Sequence, residues 1–168
     1  MITTLGNYGY KLPSNVLLQE IKSGANPEIA NLHFKRFVLC QEPQASKRIC
    51  CSTLKELTCD KTINARQLYS GNCNTELSLS LFLECNDLPK LDEVNDATVR
   101  RIRTIMFISK FIDKQKYDEI TDKTNLYIGN PYYKSQEFQE RFKHILIKEL
   151  FKYWIIFQSN GYKFLVLF

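Results

Sequence analysis

The sequence has few histidines and no CxxC pair of cysteines, so the usual spacing of zinc ligands is absent. Its two histidines, His33 and His144, lie far from any group of cysteines. None of the six cysteines forms a CxxC motif. We therefore expect six reduced thiols, as in a cytosolic-type protein, and no zinc site.

Long hydrophobic runs are also missing. The apolar runs WIIF at 154–157 and FLVLF at 164–168 are far shorter than the roughly 20 residues that a membrane span needs. The first residues, ITTLGNYGYKLP after Met1, contain no basic segment followed by an apolar core, so no signal peptide is predicted. Internal repeats and low-complexity tracts are absent as well. We expect an intracellular, soluble protein without a membrane partner.

The charge balance is mildly basic. The 168 residues carry a formal net charge of +5 and a pI near 8.8, and 44% of them are hydrophobic. This composition is ordinary for one globular domain. A positive net charge is compatible with a polyanionic partner such as nucleic acid, but it is also common in proteins that never bind one.

Short apolar runs alternate with helical signals, which predicts an α/β fold. Strands are predicted at 36–40, 62–69, 77–83 and 102–107, the first of them buried on both faces as in a parallel sheet. A short helix is predicted within 92–101, where acidic residues precede basic ones. From Glu137 onward, apolar residues recur every three or four positions, which predicts an amphipathic helix capped by Ser135 and ended by Gly161. The polar residues 112–134 are the predicted subdomain boundary.

Polar groups stand at the ends of the predicted strands. Glu42 follows the first buried strand, Asn86 follows the strand at 77–83, and arginines precede the strand at 102–107. Ligands of open parallel sheets bind outside the carboxyl ends of the strands, so Glu42 and Asn86 are predicted to face one crevice. Glu42 could orient a water or help to hold a metal ion. Asn86 could hydrogen-bond that water or a terminal phosphate.

Four segments, in this order and spacing, resemble the Walker B, B-prime, motif C and arginine-finger segments of superfamily 3 helicases: RFVLCQEP, LKELTCDKTINARQLYS, LFLECNDLP and RRIRTIMFISKF. The resemblance is nearest to the poxvirus-type primase-helicases of large DNA viruses and their phage and plasmid relatives. It implies a P-loop NTPase fold with an AAA+-like parallel sheet, incomplete at its N-terminus. Residues 1–111 would form the part of the ATPase core that follows Walker A, and residues 112–168 a C-terminal helical segment.

The resemblance also implies roles for the polar residues at the nucleotide. Glu42 would serve the nucleotide and its Mg²⁺, and Asn86 would sense the γ-phosphate. Arg101, with Arg100 as the second choice, would be the finger that reaches the nucleotide of a neighbouring subunit, since a guanidinium suits the dispersed charge of phosphoryl transfer. The alternative is a solvated face on which the arginines pair with nearby acidic residues, namely Asp92, Glu93 and Asp96.

A third part of the resemblance concerns DNA. The segment 55–77 would be a hairpin that projects into the channel of a ring. Lys55, Lys61 and Arg66 would contact phosphates, and Tyr69 would stack on a base. The alternative is that these four are ordinary surface residues.

The phosphate-binding motif GxxxxGK[ST] does not occur in the sequence. The resemblance places this motif just before ITTLGNYGYKLP, so we expect the chain to begin immediately after it. The strand that leads into the motif would lie between the strand that ends near Asn86 and the strand at 102–107. We therefore expect both of these strands to have unpaired edges. Gln41 also stands where many relatives carry a second acidic residue, which weakens a magnesium site at Glu42.

The function implied is part of an ATP-dependent DNA helicase of viral DNA replication. The complete protein would use ATP and Mg²⁺ and translocate on single-stranded DNA. It would assemble into a hexameric ring and carry a fused or associated primase. It would act in the host cytoplasm or a viral replication compartment. We expect no tight cofactor binding by this chain itself. The alternatives are a non-catalytic nucleic-acid-binding or ring-subunit module, and an inert remnant.

Overall fold

The computed structural model describes residues 2–22, 24–41, 47–65, 74–159 and 165–167. The strands of these residues are β1 (Gly9–Leu12), β2 (Phe37–Gln41), β3 (Thr62–Asn64), β4 (Asn74–Glu76), β5 (Ser80–Glu84), β6 (Ile102–Thr104), β7 (Lys110–Ile112), β8 (Leu126–Ile128) and β9 (Leu165–Leu167). The α-helices are α1 (Ile2–Leu5), α2 (Pro27–Ala30), α3 (Cys51–Cys59), α4 (Asp96–Val99), α5 (Lys114–Glu119) and α6 (Gln136–Ser159). Short 3₁₀ turns span Gly6–Tyr8, Ser14–Leu18 and Pro131–Lys134.

The central sheet has five parallel strands in the order β1-β2-β5-β9-β6. The predictions of an α/β fold with a parallel sheet and a C-terminal helix are confirmed. β2 and β5 pair along their whole lengths, from Phe37 opposite Ser80 to Gln41 opposite Glu84. Because parallel strands begin and end in step, their polar last residues meet at one edge of the sheet.

The core lies on one face of this sheet. Val38 and Cys40 of β2 and Leu81 of β5 are at most 1% exposed, and Leu54 and Leu57 of α3 belong to the same apolar cluster. Burial alternates along both strands, because successive side chains of a strand point to opposite faces. The prediction that the first strand is buried on both faces is therefore wrong.

The second face of the sheet is only half-buried. Phe37 and Phe82 lie there, with ring centroids 4.3 Å apart in a stacked arrangement. This contact protects part of each ring, and the remaining area of both rings stays accessible to solvent.

The slot between β5 and β6 is filled. β9 lies in it and pairs in parallel with both neighbours, with Val166 opposite Phe82 on one side and opposite Arg103 on the other. The expectation of two strands with unpaired edges is therefore wrong, and the C-terminal segment contributes a strand to the sheet in addition to its helix. A Leu-Val-Leu run suits a parallel strand with two neighbours, because such strands are continuously apolar.

The predicted strand at 102–107 is too long. β6 ends at Thr104, and the apolar residues that follow it, Ile105 to Ile108, are exposed, with Met106 at 78%. Within the described residues, β6 pairs with β9, and Thr104 and Leu167 form the last pair of this ladder. The apolar run at 102–107 thus predicted a longer strand than the structure contains.

One predicted helix cap is confirmed by a hydrogen bond, and the structure adds a second cap that was not predicted. The backbone N–H of Phe138 donates to Ser135 Oγ at 3.1 Å, which makes Ser135 the cap of α6. Asn95 caps α4 in the same way, accepting from the N–H of Thr98 at 2.9 Å. The predicted end of α6 at Gly161 lies outside the described residues.

Residues 105–159 form a more open region. β7 and β8 make a separate two-stranded parallel sheet, and α6 extends over 24 residues beyond it. In the part of the chain that the structure describes, no helix has both the length and the apolar character that crossing a bilayer would require. The division into parts at residue 111 stays a prediction.

Candidate functional site

The carboxyl ends of β2 and β5 form a polar edge of the central sheet, which we define as Gln41, Glu84 and Asn86. Gln41 and Glu84 are the last residues of their strands and lie opposite each other. Gln41 Nε2 donates to Glu84 Oε2 at 2.6 Å, and Asn86 follows two residues later with an exposed side chain. The edge therefore presents the carboxylate of Glu84 and the amides of Gln41 and Asn86 at one end of the sheet.

Glu42 would complete this edge, but it lies outside the described residues. β2 and β5, which these two residues follow in the sequence, end at the same end of the sheet. The meeting of the Glu42 and Asn86 side chains, and the nucleotide and metal roles given to them, stay predictions. Within the described residues, no group of three or more histidine, cysteine or acidic side chains is placed to hold a metal ion.

A groove continues the polar edge toward β1. It encloses about 620 Å³ and lies outside the carboxyl ends of β1 and β2; its lining residues are Lys11, Leu12, Pro13, Ser14, Asn15 and Gln41. Lys11 is exposed and is the cation of this lining. Sequence reasoning missed the groove. The signal was present, because the polar run Pro13-Ser14-Asn15 directly follows a strand, which is the same pattern that singled out Asn86.

The arginine cluster, defined as Arg100, Arg101 and Arg103, spans the junction of α4 and β6, with Arg103 on β6 itself. Arg101 is half-buried, and its guanidinium donates to Cys59 Sγ at 2.8 Å and to the carbonyl oxygen of Ala97. Arg103 Nη1 donates to the carbonyl oxygens of Arg100 and Ile102, at 3.1 and 3.0 Å. Arg101 is thus tied to the end of α3 in its own chain, while Arg100 is exposed.

Two of the acidic residues near the cluster, Asp92 and Glu93, are engaged elsewhere. Asp92 Oδ1 accepts from the Cys51 backbone N–H at 2.9 Å, and Glu93 Oε2 lies 3.5 Å from Lys55 Nζ. Among the described residues, no salt bridge joins Arg100 or Arg101 to an acidic side chain. The finger role of these arginines and the alternative of a solvated face both stay predictions.

The contact with Cys51 also sets the acidity of Asp92. Burial acts to raise the pKa of Asp92, but hydrogen bonds from the backbone N–H and side chain of Cys51 outweigh it and lower the pKa below its ordinary value of 3.8. The carboxylate accepts at the first residue of α3, where the free N–H groups of a helix favour negative charge. Asp92 therefore stabilises the start of the helix that carries Lys55.

The four residues predicted to contact DNA fall on α3 and the hairpin after it. Lys55 lies on α3, half-buried and paired with Glu93, whereas Lys61 is exposed just before β3. β3 and β4 pair antiparallel, which confirms the two arms of a hairpin. Arg66 and Tyr69 lie outside the described residues. Lys61 is the more accessible of the two described cations.

The described cysteines are free thiols, which confirms that part of the prediction; Cys73 lies outside the described residues. Burial raises the pKa of Cys40 to about 12. Burial, and then the nearby charge of Asp87, raises the pKa of Cys85, which precedes Asn86. Both thiols therefore stay protonated at neutral pH and supply neither charge nor a nucleophile to the polar edge.

This geometry defines a class: an open parallel α/β sheet whose polar strand ends and adjoining groove lie where such sheets bind ligands. Sequence comparison then gives the relatives. Primase D5 of fowlpox virus is 32% identical over 106 residues, or 60% of this chain. Protein L207/L206 of Acanthamoeba polyphaga mimivirus, named as a candidate helicase, is 38% identical over 123 residues, or 71% of this chain. Uncoating factor OPG117 of vaccinia virus is 28% identical over 114 residues, or 65%.

These matches confirm the resemblance to the superfamily 3 helicases of large DNA viruses. The chain spans 12–14% of the length of the curated relatives named above. No family model matches the chain.

Proposed function

We propose that this chain is part of an ATP-dependent DNA helicase of viral DNA replication, in which ATP hydrolysis by a ring oligomer is coupled to translocation on single-stranded DNA. The relationship to viral proteins with primase and helicase names carries this proposal. The central parallel sheet supports it, because its polar edge lies where open α/β sheets bind nucleotides. The sheet would be part of a P-loop NTPase of the AAA+ kind.

At the polar edge, Asn86 would contact the γ-phosphate, and Glu42 would orient the attacking water and share in Mg²⁺ binding. An exposed amide beside a strand end can donate to a phosphate oxygen and accept from a water. The Gln41 side chain is already committed to Glu84, so it would not replace a second acidic ligand of the metal. ATP and Mg²⁺ would be held by the complete protein, together with a phosphate-binding loop.

The arginine cluster would act on the nucleotide of a neighbouring subunit in a hexameric ring. Arg101 has to leave Cys59 and Ala97 to reach a neighbour, so its guanidinium would be released when the subunits close on each other. Arg100 is exposed without such a rearrangement and is the second candidate. Either guanidinium could stabilise the dispersed charge of phosphoryl transfer.

Single-stranded DNA would contact the α3 end and the hairpin. Lys61 is exposed, and Lys55 can exchange its surface salt bridge for a phosphate at little cost, because exposed ion pairs contribute about 0–1 kcal/mol. Arg66 would add a third phosphate contact, and Tyr69 would stack on a base. A primase would be fused to the complete protein or associated with it. The complete protein would act in a viral replication compartment or in the host cytoplasm.

Binding to single-stranded DNA tests the proposal on this chain. We expect a labelled oligonucleotide to bind in low salt and to be released as salt rises, because phosphate contacts release counterions. Lys61→Ala should weaken binding and flatten the salt dependence. Lys116→Ala removes the same charge from an exposed position on α5 and should change binding little. Equal losses in the two variants would contradict a DNA contact at the hairpin.

The second candidate function is a non-catalytic nucleic-acid-binding or ring-subunit module. The sequence between residues 1 and 168 contains no GxxxxGK[ST] motif, which favours this candidate for the chain taken alone. We expect the purified chain to hydrolyse no more ATP than a Glu42→Gln control prepared in parallel. Turnover above that control would contradict the expectation and would assign hydrolysis to these residues.

A further inference from the structure

The arginine cluster joins the central sheet through one strand in the described part of the chain. β6 begins directly after Arg101, and its neighbour in the sheet is β9, which in turn pairs with β5. Arg103 lies opposite Val166 in this pairing. The main-chain hydrogen bonds that hold the cluster to the sheet therefore pass through Leu165–Leu167.

The side chains of Arg101 and Ile102 add contacts to this region. Arg101 reaches Cys59 and Ala97 with its side chain, and Ile102 is partly buried against the core. Beyond β6 the chain runs into the exposed residues from Ile105 onward. A three-residue strand with a solvent-exposed continuation does not persist without a partner, because its backbone groups would lose their hydrogen bonds and little apolar area would replace them.

We propose that Leu165–Leu167 is the positioning element of the arginine cluster. With β9 in place, β6 is held in the sheet and Arg101 stays on Cys59. With β9 displaced, β6 separates from β5 and the cluster is released as a unit. What the released arginines act on rests on the proposed function, but their positioning by β9 is a property of this chain alone.

The strand β9 and the arginine cluster that it positions lie far apart in sequence. α6 lies between β6 and β9 in the chain, so an event at the C-terminal segment would reach the arginines through strand pairing. Cys59 reports on the coupling, because its exposed thiol accepts a hydrogen bond from Arg101 Nε. Release of Arg101 would leave that sulfur more open to an alkylating reagent.

Val166→Pro tests the proposal, since proline removes a backbone N–H from a strand with neighbours on both sides. Val166→Ile is the matched control, because it keeps the N–H and the β-branched side chain. Amide hydrogen exchange at Ile102–Thr104 should become at least about tenfold faster in the proline variant than in the control. Iodoacetamide should modify Cys59 faster in the proline variant, whereas buried Cys40 should stay unmodified.

A cross-link keeps the proposal testable if the proline variant fails to fold. Phe82→Cys combined with Val166→Cys should form a disulfide, because register partners on adjacent strands lie roughly 5 Å apart. Leu39→Cys combined with Val166→Cys is the control. Leu39 lies opposite Phe82 on the far side of β5, at about twice that distance from Val166, so it should not cross-link.

Equal exchange and equal Cys59 modification in Val166→Pro and Val166→Ile would overturn the proposal, and so would failure of the pair at 82 and 166 to cross-link. These outcomes are separate from those of the proposed function. A chain in which β9 controls Cys59 modification but which binds no single-stranded DNA would sustain the positioning role and reject the helicase proposal.

Discussion

The central sheet and the region after it both contain many apolar residues, but the two regions differ in how far these side chains are buried. Among the described residues, the buried apolar side chains fall between Leu12 and Leu83, with Leu126 as the exception. After β6, apolar side chains are largely exposed; Met106, Phe107 and Phe151 are 78%, 73% and 64% accessible. An apolar pattern thus predicts which face of an element is available for burial, but the packing partner decides whether burial occurs.

The largest expected difference between the regions is in the response to side-chain truncation. Leu81→Ala on β5 should lower the free energy of unfolding by about 2–5 kcal/mol, because it removes a side chain that is 1% exposed and leaves a cavity. Ile145→Ala on α6, where the side chain is 55% exposed, should change it by no more than about 0.5 kcal/mol. Urea unfolding followed by circular dichroism measures both. Equal losses would show that α6 is packed as tightly as β5.

Helix caps give a smaller and more local test. Asn95→Ala should cost about 1 kcal/mol of stability, because α4 joins the sheet region and its cap satisfies the Thr98 N–H. Ser135→Ala removes the equivalent cap of α6 and should act mainly by fraying that helix. Hydrogen exchange at the first turn of α6 measures the fraying. A full loss of global stability in Ser135→Ala would show that the two regions unfold as one unit.

The smallest expected effect is in the dependence of stability on pH. The pKa of Asp92 is lowered in the folded state, so its contribution is fully present above the ordinary value of 3.8 and is lost as the pH falls through the folded-state pKa. Asp92→Asn should therefore flatten the decline in stability below pH 3.8. Thermal unfolding across the acid range measures this decline.

Asp122 provides the comparison in the other region. Hydrogen bonds from Thr124 lower its pKa as well, but they close a local turn on an exposed loop. Asp122→Asn should leave the pH dependence of global unfolding close to that of the parent chain. A larger effect from Asp122 than from Asp92 would reverse the contrast between the two regions.

The sequence predicted those features that depend on near neighbours in the chain. β2 and β5 coincide with short apolar runs, and the cap Ser135 stands at a helix start because its side chain reaches an N–H group three residues away. The order of polar residues at strand ends also located Asn86 at the sheet edge. These features depend on residues that are close together in the chain, so their prediction needed no tertiary information.

The features that failed depend on residues far apart in the chain. The run at 102–107 was expected to be one strand, but β6 ends at Thr104, which pairs with Leu167 of β9. The contact of the Arg101 guanidinium with Cys59, 42 residues away in the sequence, was not predicted. The groove beside Lys11 arises where two strands end together, and no single segment contains it.

By itself, the sequence determined the α/β class, the apolar strands, the cap of α6 and the resemblance to a family of viral helicases. The tertiary structure alone decided that Leu165–Leu167 fills the slot between β5 and β6, that Gln41 is bonded to Glu84, and that Arg103 lies opposite Val166 in the sheet. The physical reason is that propensity and capping act over a few residues, whereas a central parallel strand satisfies backbone groups on two neighbours at once. Which segment does so is settled by competition across the whole chain.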